Sequence, residues 1–399
     1  EAGVQFVLGT GETVINADEV DSPDNGPEID LTLQAGSLTS QSLTLTGDAE
    51  IRVNELSSNV IASNLSGDLD INAAANQNTV NVTAGTGRMT ITGATGTTVD
   101  VDADLTVSDG SVDASSAEVV VDGAAGTVDI ENLSADLDAQ NFGGTLKIDV
   151  DVPTDNAEET AEIEIITGTG ATEITGTDLD GTDSDRLDIT VNASQLAGTN
   201  EFLDLLGDAE YRIVNDSVGD VLKLDISAIA SGDTIELAGS GDFELTGTAG
   251  NVDASDLFGN ITVETLSGDS VPTEITVTAG TGVTTVKAVD GDDTVTLLAG
   301  NLTDDDEDFR NDNSGDITEV IAEGSGDITV QDLRADLDAT TLLGDLNVSL
   351  AQVTGGGNDD VDIQLGVSGG TIDLAQNTTG AFIDAAAVTA SNTVTLRGG

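Results

Sequence analysis

Four groups of carboxylates are the side chains best placed to do chemistry in this sequence. Asp290, Asp292 and Asp293 flank Gly291 in a short turn pattern, and Asp359 and Asp360 follow a glycine run. Asp178, Asp180, Asp183 and Asp185 surround Gly181, and Asp304, Asp305, Asp306 and Asp308 form an acidic run with Glu307. Carboxylates clustered on glycine-rich turns suit Ca2+, a hard cation that takes six to eight oxygen ligands. The spacing around Gly181 is not that of an EF-hand loop. The competing reading is structural: Gly and Asp are ordinary β-turn residues, and the 304–308 run is equally a solvated loop.

Other chemistries find little support. The chain has no His and no Cys, which removes Ser-His triads, thiolate nucleophiles, disulfides and most zinc sites. Carboxylate pairs can hydrolyse glycosides. A polysaccharide cleft, however, wants aromatic platforms and basic groups, and this chain has one Tyr, seven Phe and 10 Lys plus Arg among 399 residues. The sequence therefore reads as a non-enzyme, with a polysaccharide-active β-helix as the weaker alternative.

Charge sharpens the case for cations. There are 75 acidic residues and a formal net charge of −65. Such a polyanion repels nucleic acid and anionic lipid. If acids stack on adjacent strands ~4.8 Å apart, each pair costs about 0.9 kcal/mol in water and about 3.5 kcal/mol at an effective dielectric near 20. A fold stabilised by only ~5–15 kcal/mol then needs bridging divalent cations or screening salt. A haloarchaeal origin explains the same acidity through monovalent salt. No apolar run is long enough to span a membrane, so no membrane insertion is expected.

The elements that must hold these acids are strands. Hydrophobic residues make up 38% of the chain and aromatics 2%, so the core must be thin and built from Val, Ile, Leu, Ala and Thr. Thr90-Ile91-Thr92, Thr276-Val277-Thr278 and Val295-Thr296-Leu297 alternate with period two. Asp100 and Asp102 alternate with Val101 and Ala103, with Asp104 and Leu105 continuing the pattern, which reads as a strand with a plain solvated face.

Self-similarity is the strongest signal. The segments 49–71, 126–148 and 326–348 align without a gap: Leu56 with Leu133 and Leu333, Val60 with Leu137 and Leu337, Leu65 with Phe142 and Leu342. A shorter version of the phrase recurs at Val252–Leu257 and Val191–Leu196. A second phrase, Gly-Thr/Ser-Gly, begins at Gly9, Gly85, Gly168, Gly239, Gly280 and Gly324, at intervals near one or two multiples of ~40 residues. A unit of that length suits two coils of a parallel β-solenoid, an all-β fold in which inward apolar side chains stack from coil to coil. The expected organisation is one continuous solenoid over 1–399, cut from a longer chain. Insertions are expected near 152–160, 200–215 and 303–315, the second with apolar spacing that allows one or two helical turns. Sheet edges at both ends favour end-to-end or lattice contacts.

The Gly291-x-Asp293-x-Val295 half of the 290–295 turn resembles the calcium nonapeptide of RTX proteins, with Ala288 and Val289 where its glycines belong. Gly357-Asn358-Asp359-Asp360-Val361, preceded by Gly355-Gly356, is a similar half match, and the terminal Leu396-Arg397-Gly398-Gly399 could open such an array. With the His- and Cys-free composition, the chain resembles RTX-type, type-I-secreted bacterial surface-layer proteins and the repeat regions of giant RTX adhesins. That resemblance implies an extracellular, cell-surface structural protein: a Ca2+-stabilised β-helix whose main partner is itself, in a layer, sheath or filament. It also implies anchoring to cell-surface polysaccharide through a domain that this chain does not contain. The alternative it leaves open is the stalk of a calcium-dependent adhesin.

Overall fold

The computed structural model describes residues 4–17, 31–38, 42–77, 79–103, 119–150, 161–177, 187–268, 272–302, 319–351, 361–376 and 381–398. Every regular element among them is a strand, and every strand pairing is parallel. Successive strands alternate between two sheets, so within each compact unit a strand pairs with the one two places along the chain. This is a parallel β-solenoid with two strands per coil. Two compact units are present, Glu1–Glu210 and Tyr211–Gly399.

In the first unit the register pairs Ile51 with Leu69, and Leu69 with Met89, giving coils of 18 and 20 residues. In the second, Phe243 pairs with Ile261 and Ile328 with Leu346, again 18 apart. The ~40-residue period is therefore two coils. Alternation of β-branched or aliphatic residues with Asp and Thr puts one set inside: Leu187–Asn192 alternates between buried and half-buried along its whole length. Each inward Val, Ile or Leu contributes about 1.5–3 kcal/mol on burial, and the stacked columns supply nearly all the core. Threonine joins it at Thr167, Thr248, Thr265 and Thr284. Tyr211, Phe142 and Phe243 are the largest of the fully buried side chains.

The repeated phrase is a doubly bulged corner. Glu55, Asn132 and Asp332 occupy the same place in their copies, and all three have left-handed backbone, with φ of 55°, 58° and 55°. Each sits where the ladder slips, between Val53 and Leu56, Ile130 and Leu133, and Val330 and Leu333. The bulge turns the strand so that the following Leu points inward again. Residues 241–263 are a fourth full copy: Gly247, with φ of 68°, takes the left-handed position, and the ladder slips between Leu245 and Thr248. The Val191–Leu196 version follows another path, because the strand ends at Asn192 and Leu196 lies in a turn closed on the Ala193 carbonyl.

The second phrase lies on the first. Thr86, Thr169 and Thr281 each donate their amide to the corner carbonyl of the preceding coil, Leu65, Phe142 and Leu257. A side chain at Gly85 would place its Cβ 2.0 Å from the Leu65 oxygen, and one at Gly168 would sit 1.9 Å from that of Phe142. Only glycine allows this approach. At these three corners the phrases go together because the corner needs a glycine-walled corner above it.

One expectation is corrected. Asn200–Asn215 holds no helical turn. It forms the strands Phe202–Gly207 and Glu210–Asn215, with Leu203, Leu205, Tyr211 and Ile213 buried. Read at period two instead of 3.6, the same apolar residues fill one face of each strand. The expected insertions at 152–160 and 303–315 lie outside the described residues.

Candidate functional site: carboxylate corners and ladders

Of the expected Ca2+ ligands, Asp290, Asp292 and Asp293 lie within the described residues. Asp178, Asp180, Asp183, Asp185, Asp304, Asp305, Asp306, Asp308, Asp359 and Asp360 lie outside them. Asp293 follows the apex of a turn between the strands Thr284–Ala288 and Thr294–Leu298, and it is almost wholly buried. Its Oδ1 accepts the Thr273 amide at 3.1 Å. Its Oδ2 accepts the Thr265 hydroxyl at 2.6 Å and the Asp290 amide at 3.1 Å. The Thr265 Oγ1 in turn accepts the Val289 amide at 2.9 Å. Asp290 reaches outward, where its Oδ2 accepts the Gly268 amide at 2.8 Å, and Asp292 is exposed.

Protein donors thus engage both oxygens of Asp293 and one of Asp290. The arrangement ties both ends of the connection between the strands Ile261–Thr265 and Glu274–Thr278 to the turn at 290–293 one coil on. Its chemistry is that of a buried charge held by several donors, which is what makes burial of a carboxylate tolerable. Among the described residues, no group of three or more acids is placed to hold a metal ion.

The acids that do meet one another lie on a sheet face of the first unit. On the strands Thr98–Asp102 and Thr127–Leu133, Asp100 stands opposite Asp129, and Asp102 opposite Glu131. Burial and then the charges of Asp129 and Asp102 push the Asp100 carboxyl above the usual aspartate range. The charge of Asp100, then burial, then Asp129, Asp102 and Asp149 do the same to Glu131. Lys147 is the next residue in the column after Asp129, but its Nζ pairs with Glu173 at 3.2 Å. Within the ladder the Asn132 Nδ2 donates to Asp102 Oδ1 at 3.1 Å. Asp100 and Asp102 lie on the face opposite the buried Val99, Val101 and Ala103, as the alternation predicts, but are half-buried rather than fully solvated, and Asp104 lies outside the described residues. What the sequence did not disclose is the register that stacks them on Asp129 and Glu131, because residues 103–126 separate the two strands in the chain.

Basic residues are placed as spacers in such columns. Arg52 pairs with Asp70 at 2.6 Å, and Lys287 with Glu264 at 2.7 Å. Arg212 pairs with both Glu236 and Asp256 at 3.2 Å. All are partly exposed, so each pair contributes about 0–1 kcal/mol.

A second ladder is buried. Glu319, Asp336 and Asp362 are nearly or fully inaccessible and occupy successive coils. Glu319 Oε2 accepts the Asp336 amide at 3.0 Å, and Asp336 Oδ1 accepts the Asp362 amide at 2.7 Å. Reading for surface turns missed these residues, because each stands directly before a strand or second in one.

Comparison with protein-family models, with curated proteins and with solved structures yields no significant match.

Proposed function

We propose that this chain is a structural protein: an extracellular β-solenoid, stabilised by Ca2+, that assembles with copies of itself into a surface layer, sheath or filament. The observation that carries the reading is the combination of a regular two-sheet solenoid with columns of stacked carboxylates, as at Asp100–Asp129 and Asp102–Glu131. A scaffold of this kind needs cations around it before it is at its most stable. The acidic stretches of the sequence at 178–185, 304–308 and 359–360 are the natural places for Ca2+ to bind, in line with the partial RTX turns in the sequence. Asp290 and Asp293 serve mainly to brace their corner.

The test is a titration with millimolar CaCl2 against EGTA at fixed ionic strength, following particle size by light scattering and electron microscopy. Ordered sheets or filaments that form with Ca2+ and disperse with EGTA are the expected result. A protein that binds Ca2+ yet remains monomeric moves the adhesin-stalk reading ahead. A protein indifferent to Ca2+ but stabilised by molar NaCl makes the acidity a salt adaptation and removes calcium from the account.

A further inference from the structure

The phrase corners share a polar residue whose role is not turn formation. It is Asn59, Asp136, Asn251 and Asp336 in the four copies: Asn59, Asp136 and Asp336 stand immediately before the strands that start at Val60, Leu137 and Leu337, and Asn251 is the first residue of its own strand. In every copy the side-chain Oδ1 accepts a backbone amide from a later coil. Asn81 donates to Asn59 at 3.1 Å, Glu164 to Asp136 at 2.9 Å, Thr276 to Asn251 at 2.8 Å and Asp362 to Asp336 at 2.7 Å. At three of the corners the residue's own carbonyl points the other way and accepts an amide from the preceding coil, from Leu43, Val119 and Val320. The main chain therefore offers nothing forward at this place, and the side chain supplies the missing carbonyl. Asn and Asp are the residues whose side-chain oxygen lies close enough to the backbone to stand in for it.

The chain lengths give this acceptor its meaning. The coil that runs through the phrase advances 18 residues in all four copies. The amide caught by the acceptor lies 22, 28, 25 and 26 residues downstream. In each case the strand that carries it returns to the sheet after a longer coil. We propose that Asn59, Asp136, Asn251 and Asp336 are re-entry clamps, which fix the register of a strand arriving after a coil of variable length. A period-two strand that slips by one residue turns its apolar face to water. A single fixed hydrogen bond near the start of the returning strand prevents that slip and lets the coil before it change length. The phrase is then a device for carrying insertions, and the coil that each clamp receives is one of the places where the solenoid accommodates added residues, alongside longer coils such as that from Thr284 to Val320.

Amide hydrogen exchange and insertion test this in the full chain. In Asn251→Ala, the Thr276 amide is expected to exchange about tenfold faster, while amides of the neighbouring strand Ile261–Thr265 change far less. Asn251→Asp keeps the acceptor and restores protection. A ten-residue Gly/Ser insertion after Gly268, whose Cβ position is open, is expected to lower the melting temperature by only a few degrees in the wild type. The same insertion in Asn251→Ala is expected to abolish protection along Glu274–Thr278. Equal exchange at Thr276 with and without the acceptor would overturn the proposal, as would equal damage from the insertion in both backgrounds. If Asn251→Ala does not fold, the same exchange comparison at Asn59 and Asn81 decides the matter.

Discussion

Asp293 and Asp100 are the same residue in opposite circumstances. Asp293 is almost completely buried, yet it sits among an amide from its own turn, another from Thr273 and the hydroxyl of Thr265. Asp100 is half-exposed, yet its neighbours in the column and along the strand are Asp129 and Asp102. Exposure alone would rank Asp100 as the comfortable one. Partners reverse that ranking, because a buried charge held by donors is stabilising to keep, whereas a surface charge facing like charges is stabilising to lose. The acids of this chain thus divide into those that fasten corners and those that load the sheet faces.

Removing each kind is predicted to move stability in opposite directions. Asp293→Ala leaves two amides and a hydroxyl without an acceptor in a closed corner, and is predicted to cost about 3–5 kcal/mol in urea unfolding. A loss under about 1 kcal/mol would mean that water replaces the carboxylate and that the corner is not fastened by it. The double variant Asp100→Asn, Glu131→Gln is predicted to gain about 1 kcal/mol at pH 7 and low salt, with the gain fading as NaCl rises.

The same ladder sets a pH dependence. Asp100 and Glu131 have carboxyls shifted upward in the folded state, so over the interval between their unfolded and folded values the folded chain holds more protons. Their contribution is complete below the ordinary carboxylate range near pH 4 and is lost as pH rises through the raised folded values. Melting temperature is therefore predicted to rise as pH falls from 7 toward the ordinary carboxylate range, and the rise is predicted to shrink in the double variant. A smaller effect of the same sign is predicted at Asp136, where burial raises the carboxyl against the lowering effect of the Glu164 amide. Asp136→Asn keeps the Oδ1 acceptor that Asn59 and Asn251 already use, so it should raise the melting temperature by a degree or two at pH 7 and by nothing at pH 4.

Much of the solenoid was legible in the sequence because its signals are local. Period-two alternation and a recurring phrase gave strands, coil length and the inward columns at Leu56, Val60 and Leu65. Asn200–Asn215 was misread because Phe202, Leu203, Leu205 and Leu206 crowd together in a spacing that a helix also accepts. The fourth phrase copy was seen only at Val252–Leu257, since Gly247 stands where the other copies have Glu, Asn or Asp. The site was less legible, because it depends on which residues stack across coils. Neither the meeting of Asp100 with Asp129 nor the burial of Asp293 by Thr265 and Thr273 follows from spacing along the chain. Spacing along the chain placed Asp290–Asp293 in a turn, but the donors that Thr265 and Thr273 turn toward Asp293 come from the connection one coil back.

The central claim is that stacked carboxylates hold this solenoid below its full stability until cations neutralise them. Its most direct test is the melting temperature of the wild-type chain as CaCl2 replaces NaCl at constant ionic strength and pH 7. The account predicts a rise of several degrees by millimolar Ca2+, reversed by EGTA. A melting temperature that stays flat across the exchange, with no response to added NaCl either, would contradict it.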